Sequence, residues 1–175
     1  MIVLAAAATA FAVRWQAAAM FSRELGFVPF DLQDRLNQGM LVIQVGASRG
    51  HPLGRLYGAF VTADVPVSLV VAFAAVVLWR WLHLKAPNRG YGFLTVGGVM
   101  LVPVTVAALE MFEHRAVFAL LRQRGQDGYA DAVASVVTIH NVKMALAYVR
   151  DGLTLIFVAV TAVLASWRRR RASPE

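Results

Sequence analysis

Four long apolar stretches alternate with polar segments along the chain. Apolar residues dominate at about 2–21, 57–79, 91–112 and 140–167. A helix needs about 20 apolar residues to cross a hydrocarbon layer of ~30 Å, and each stretch is at or near that length. The pattern predicts an all-α fold: a polytopic membrane protein in which residues 1–175 form one four-transmembrane-helix bundle.

Two longer connections, at residues 22–56 and 113–139, separate the first stretch from the second and the third from the fourth. Within the first connection, apolar residues recur at helical spacing over residues 32–45 and predict an amphipathic helix there. Its predicted apolar face consists of Leu32, Leu36, Met40 and Ile43. A polar tail follows the fourth stretch at residues 168–175.

Basic residues indicate the orientation of these helices. The connection "RWLHLKAPNRG" carries Arg80, Lys85 and Arg89 without an acid, and a run of four arginines, 168–171, follows the fourth stretch. Lys and Arg near span ends favour the cytoplasmic side of a membrane. We therefore expect a multi-pass protein of the bacterial cytoplasmic (inner) membrane, with both termini in the cytoplasm and the two longer connections outside.

Composition supports the membrane interpretation and excludes some function classes. Hydrophobic residues make up 59% of the 175 residues and charged residues 15%. The net charge of +7 could suggest nucleic-acid binding, but the basic residues flank apolar stretches, so we expect contact with anionic lipid instead. The absence of cysteine excludes disulfides, thiolate metal sites and cysteine nucleophiles.

Ionisable residues inside the apolar stretches are the candidates for a functional site. Counting 1.5 Å per residue from the span ends places them all in the outer half of the bilayer. A charge in hydrocarbon costs about 2.5–3.5 kcal/mol, so we expect these side chains to face inward and to pair. Arg14 and Lys143 would pair with Asp64 and Glu110. The neighbours Arg150 and Asp151, about 100° apart on a helix, would find different partners.

Three further polar residues extend this predicted cluster. Glu110, Glu113 and His114 fall at i, i+3 and i+4, on one helix face, and His140 lies three residues before Lys143. We expect Glu110 and Lys143 to face the interior, and Glu113 and His114 to line an outward-opening mouth one turn above. The full predicted cluster is Arg14, Asp64, Glu110, Glu113, His114, His140, Lys143, Arg150 and Asp151.

The chemistry of the cluster stays open between a structural ion-pair network and a working site. General acid and base candidates are Glu110, Glu113, His114 and His140, since a histidine beside a carboxylate titrates near neutral pH. A zinc or iron site of Asp64, Glu110, His114 and His140 is conceivable from the residue types. No HExxH-like signature supports it, so the sequence predicts no metal and no cofactor.

Several short motifs resemble those of a widespread family of small, mostly bacterial, four-span membrane proteins with no assigned activity. That family has an FDL element after the first span and a Gly-Arg and a Tyr before an Asp in the second span. Its third span ends in D-x-x-E-N, and its fourth opens with small residues, a Thr and a Lys. The matching residues are Phe30-Asp31-Leu32, Gly54-Arg55, Tyr57, Asp64, Glu110, Glu113, Ala134-Ser135, Thr138 and Lys143.

The resemblance implies the same fold and the same position for the polar cluster, but no reaction. Two departures concern the third span: Glu110 stands where the family has Asp, and His114 where it has Asn. The first function that we expect is a non-enzymatic bundle binding a lipid, a small hydrophobic ligand or a membrane-protein partner. A small lipid-directed enzyme and a homodimeric proton-coupled transporter are the alternatives.

The predicted topology can be tested by cysteine labelling, because the chain has no native cysteine. Single cysteines near Gln38 and Gln126 should react with an impermeant reagent from outside intact cells. Cysteines near Asn88 and Ser173 should react only after the membrane is opened. Labelling of the Asn88 position from outside would contradict the orientation.

Overall fold

All regular secondary structure in the described residues is helical. The computed structural model describes residues 2–34, 36–47, 52–85, 99–123 and 125–172. The helices are α1 (Ile2–Leu25), α2 (Gln38–Ala47), α3 (Leu53–Lys85), α4 (Leu101–Arg122) and α5 (Tyr129–Ala172), with a 3₁₀ turn at Phe30–Leu32. The predicted all-α class is confirmed.

Two of these helices are long and apolar enough to cross a membrane: Gly54–Lys85 within α3, and Tyr129–Trp167 within α5. They contain the second and fourth predicted spans. The first predicted span coincides with α1, and the end of the third with α4. The start of the third span at 91–98, the basic connection at 86–90 and the tail at 173–175 lie outside the described residues.

Helix α4 continues beyond the third apolar stretch, and only residues 123–128 separate it from α5. The pattern assigns 113–139 to a connection, whereas most of that segment is helical. The reason is that Val117 and Leu120 on α4 and Val136 on α5 remain fully buried past the polar residues. Burial of an apolar face stabilises a helix even beyond charged residues that, taken alone, predict its end.

The amphipathic helix in the first connection is shorter than predicted and buries a different face. It begins at Gln38, where the Asn37 side chain accepts a hydrogen bond of 2.9 Å from the Met40 backbone N–H and so caps the helix. Leu41 and Val45 are buried, whereas Ile43 is 70% exposed. The preceding 3₁₀ turn at Phe30–Leu32 includes the first residue of the predicted helix, and the observed α-helix begins only at Gln38.

The chain forms two compact units. Unit 1 comprises residues 1–70 and 107–144, and unit 2 comprises 71–106 and 145–175. The core of unit 1 is aromatic: Phe21, Phe30 and Tyr57 are fully buried, with ring centroids 5.8–6.3 Å apart. This core lies beside the polar side chains described below, so it shields them from water.

The core of unit 2 is built on Trp79. Its ring packs edge-on against Phe157 at a centroid distance of 5.2 Å, and its indole N–H donates a 2.8 Å hydrogen bond to the Thr154 hydroxyl. The same hydroxyl donates to the Arg150 carbonyl. A buried indole is thereby both packed and hydrogen-bonded, which joins α3 to α5 within this unit.

Replacing Thr154 with Val should lower the free energy of unfolding by about 1–3 kcal/mol, because the buried indole N–H loses its acceptor. Thr154→Ser, which keeps the hydroxyl, is the matched control and should stay close to wild type. Thermal unfolding in detergent, followed by circular dichroism, measures both. Equal melting of the Val and Ser variants would show that this hydrogen bond contributes nothing.

Candidate functional site

Polar side chains from four helices and the 3₁₀ turn meet inside unit 1. Helix α4 presents Glu110, Glu113 and His114 on one face, as their i, i+3, i+4 spacing requires. Helix α5 presents His140 and Lys143, again one turn apart. Arg14 from α1, Asp64 from α3 and Asp31 from the 3₁₀ turn complete the group. We call these eight residues the polar cluster.

Most of the polar cluster is enclosed, although Arg14 and Glu110 are partly exposed. Asp64, Glu113 and His140 have no exposed surface, and His114 retains 3%. The expectation that Glu113 and His114 line an outward mouth is therefore wrong: both are among the most deeply buried polar residues described. They lie mid-helix because α4 continues to Arg122, and the Tyr57 ring covers His114 edge-on at 6.1 Å between centroids.

Glu113 contacts two residues of α5. Its Oε1 lies 2.7 Å from Nδ1 of His140, and its Oε2 lies 2.6 Å from the Lys143 ammonium. The second contact is an ion pair by distance. Lys143 also lies 3.7 Å from Oε1 of Glu110 and donates to the Asp31 backbone carbonyl at 3.3 Å. One ammonium thus connects α4, α5 and the 3₁₀ turn.

The predicted pair of Arg14 and Asp64 forms. The guanidinium Nε of Arg14 donates to Oδ1 of Asp64, and its planar head lies over the Phe60 ring, 5.9 Å from the centroid. Asp64 is fully buried while Arg14 is half-buried. The arginine therefore neutralises one edge of a carboxylate that would be costly to bury alone.

Two carboxylates approach the imidazole of His114. Its Nε2 is 3.5 Å from Oδ2 of Asp31 and 3.4 Å from Oδ2 of Asp64. The Tyr57 hydroxyl is 3.4 Å from the other Asp31 oxygen. Burial raises the pKa of the Asp31 carboxyl above its ordinary value, and this outweighs the opposing hydrogen bond to His114 and the charge of Lys143.

Sequence reasoning missed Asp31 as a site residue. Asp31 entered only as part of the FDL motif, whereas its side chain is fully buried and reaches the centre of the cluster. The available signal was its immediate context, since Pro29, Phe30 and Leu32 surround it with apolar residues. Tyr57, which is also part of the quoted motifs, was likewise not predicted as a site residue.

Two predicted members do not join the cluster. Arg150 and Asp151 belong to unit 2, where Nε of Arg150 donates to Asp151 at 2.8 Å. The expectation of different partners is wrong, because the long arginine side chain folds back onto its neighbour. Asp151 is 61% exposed at its side chain, so the pair is not a buried one.

The residues grouped as a conceivable metal set are also rearranged. His140 pairs with Glu113, whereas Asp31 lies with Asp64, Glu110 and His114. The angular position of His140 on α5 directs it to Glu113, and no helical periodicity could have brought in Asp31 from a turn. The acid and base candidates Glu113 and His140 contact each other inside the enclosed part of the cluster.

Comparison of the chain with protein-family models, with curated proteins and with solved structures finds no match. Function is therefore inferred from the geometry of the cluster and of the surface around it.

Replacing Lys143 with Met should destabilise the protein strongly, because it leaves Glu113 and Glu110 buried without the ammonium. Losing one partner of a buried ion pair typically costs about 3–5 kcal/mol. The double variant Lys143→Met/Glu113→Gln should recover part of this loss. Unfolding in detergent measures all three proteins.

Lys85→Met is the control for this experiment, because Lys85 is an exposed lysine whose ammonium lies 5.9 Å from the Trp81 ring centroid. It should cost about 1 kcal/mol or less. Strictly additive losses for Lys143→Met and Glu113→Gln would contradict the pairing.

Proposed function

We propose that the chain is a four-span integral membrane protein of the bacterial cytoplasmic membrane that acts by binding a lipid. The support for a lipid environment is the exposure of large apolar side chains on each long helix. Trp15 on α1, Phe73 on α3, Phe112 on α4 and Leu155 on α5 are each more than half exposed. In water such surfaces would favour aggregation, whereas hydrocarbon solvates them.

Helices α1 and α4 complete the four spans in this proposal. Their 24 and 22 residues correspond to about 36 and 33 Å at 1.5 Å per residue, enough for the hydrocarbon layer. Two of the charged residues that lower the apolarity of α4, Glu110 and Glu113, turn into the polar cluster and away from lipid. Arg80 and Lys85 near the end of α3 support cytoplasmic termini.

Enclosure of the polar cluster favours binding over catalysis. A general acid and base must reach the atoms of a substrate, and the best acid–base pair, Glu113 with His140, has no exposed surface. The two residues also contact each other, and Glu113 contacts Lys143. We therefore assign the cluster to the interior of the protein and place the lipid elsewhere.

A groove on the surface of unit 1 carries this proposal. It has a volume of about 270 Å³ and is lined by Trp15, Ala18, Ala19 and Ser22 of α1 and by Val28 and Leu32 of the following segment. The α1 residues fall at i, i+3, i+4 and i+7, so they form one stripe along the helix. The small side chains of the two alanines leave room for the groove, and the larger side chains form its walls.

The occupant that we propose is one acyl chain of an anionic phospholipid. The lining is apolar, as an acyl chain requires, since the Ser22 hydroxyl donates to the Ala18 carbonyl. The exposed Arg23 follows Ala19 by four residues and so lies on the same side of α1. It ends the apolar stretch of α1, where we place the lipid phosphate, while Glu24 points to the opposite side from Trp15.

Ala19→Phe should fill the groove and release the lipid. Native mass spectrometry of protein released from detergent should show wild type with a bound phospholipid, and at least a fivefold smaller bound fraction for Ala19→Phe. Val13→Phe adds a ring to the opposite, exposed side of α1 and is the matched control, with binding like wild type. The same spectra report whether the protein is a homodimer.

Two outcomes would overturn lipid binding in the groove. One is a wild-type protein that carries no phospholipid even after purification with added anionic lipid. The other is an equal bound fraction in Ala19→Phe and Val13→Phe, which would indicate lipid at the general protein surface.

A further inference from the structure

We propose that Asp31, Asp64, Glu110 and His114 form a binding site for one divalent transition-metal cation of the Zn²⁺, Fe²⁺ or Mn²⁺ class. The site lies within the polar cluster and does not depend on the lipid groove. It goes beyond the proposed lipid binding, and it replaces the sequence-based expectation of no metal.

The spacing of the four residues fits coordination better than mutual hydrogen bonding. One ligand atom from each residue lies within 4.8 Å of the ligand atoms of the others. Nε2 of His114 lies 3.4 Å from one Asp64 oxygen and 3.5 Å from one Asp31 oxygen. Two ligands at about 2.1 Å from a tetrahedral ion are about 3.4 Å apart. Charge-assisted hydrogen bonds are shorter, at about 2.7–2.9 Å.

A buried oxygen without a hydrogen bond points into this group. Among the described residues, no donor makes a hydrogen bond to Oδ2 of Asp64, and Nε2 of His114 lies 3.4 Å from it, although the residue is fully buried and its Oδ1 accepts from Arg14. A buried carboxylate oxygen without a partner is costly. A cation between Asp64 and His114 would satisfy this oxygen from the side opposite Arg14.

The charges of the polar cluster are also compatible with a bound cation. Among the eight residues of the cluster, four are carboxylates and only Arg14 and Lys143 are permanent cations. With both imidazoles neutral, as a metal-binding histidine must be, two negative charges remain unmatched. One divalent cation balances them, which buried charges require.

The neighbouring cations leave the proposed ligand atoms accessible to a metal. Arg14 occupies Oδ1 of Asp64, and Lys143 lies nearest Oε2 of Glu113 and 3.7 Å from Glu110. Each of these contacts orients a carboxylate, as partners outside the coordination shell do in metal sites. Lys143 also holds the Asp31 carbonyl, which fixes the 3₁₀ turn beside the site.

The ligand set decides the class of metal. Three carboxylates and one imidazole suit borderline divalent ions such as Mn²⁺, Fe²⁺ and Zn²⁺. Calcium and magnesium prefer oxygen ligands alone, and Cu⁺ prefers sulfur, which none of these residues supplies. Zn²⁺ and Mn²⁺ are therefore the two probes for a test.

The test uses the full chain, purified in detergent without a histidine tag and stripped with a chelator. Isothermal titration with Zn²⁺ should show one equivalent bound per chain. Asp31→Asn and His114→Gln should each weaken this binding at least 100-fold. The matched controls are Asp151→Asn and His83→Gln, which lie in unit 2 and should bind like wild type.

A spectroscopic measurement on wild type covers the case in which a ligand variant fails to fold. Bound Mn²⁺ should show, in pulsed electron paramagnetic resonance, coupling to the nitrogen of a single histidine. A site of oxygen ligands alone, or coupling to several nitrogens, would overturn the assignment. So would the absence of saturable one-equivalent Zn²⁺ binding, or equal affinity in the ligand variants and the controls.

Lipid binding and metal binding can be measured separately on the same variants. Ala19→Phe should bind Zn²⁺ like wild type, because Ala19 lines the groove and is not one of the four proposed ligands. Loss of lipid with retained Zn²⁺ affinity would contradict neither proposal. A wild type that binds lipid without one-equivalent Zn²⁺ binding would overturn the metal site alone.

Discussion

The contact between the Glu113 carboxylate on α4 and the His140 and Lys143 side chains on α5 constrains the rest of unit 1. A fully buried carboxylate is stable only where charged or donor groups surround it, and both of its oxygens lie within 2.7 Å of a partner nitrogen. A slip of one residue would rotate either helix by about 100° and remove these partners. The ion pairs therefore fix which faces of α4 and α5 meet.

Other features of unit 1 follow from this contact. Once Lys143 points inward, its ammonium reaches the Asp31 carbonyl, and the 3₁₀ turn is held against the cluster. The buried Tyr57 ring then packs edge-on against His114, and Phe30 packs against Tyr57. Low polarity around the cluster strengthens each ion pair and makes any unpaired charge more costly.

The same turn links the enclosed cluster to the protein surface. Asp31 faces the cluster, while its neighbour Leu32 lines the groove along α1. Alternate faces of one short segment thus serve two environments, one charged and one apolar. In the lipid environment proposed above this separation is needed, because charged groups must face inward while apolar groups meet the acyl chains.

Much of the candidate site could be predicted from local rules. Helical spacing places Glu110, Glu113 and His114 on one face of α4. It likewise places His140 and Lys143 on one face of α5, whatever the tertiary structure. The cost of a charge in an apolar stretch predicted that Arg14 and Asp64 turn inward, and they do pair. Periodicity did not give the depth of Glu113 and His114, because burial depends on how far α4 extends and on what covers it.

The sequence by itself determined the helical class, the apolar stretches and the inward direction of most of the charged residues in the predicted cluster, because each depends on neighbours within one or two turns. Only the tertiary structure decided that Asp31 joins the cluster and that His140 pairs with Glu113. Asp31 and Lys143 are separated by 112 positions in the chain. The physical reason is that such contacts depend on chain folding across long separations, for which helical periodicity carries no information.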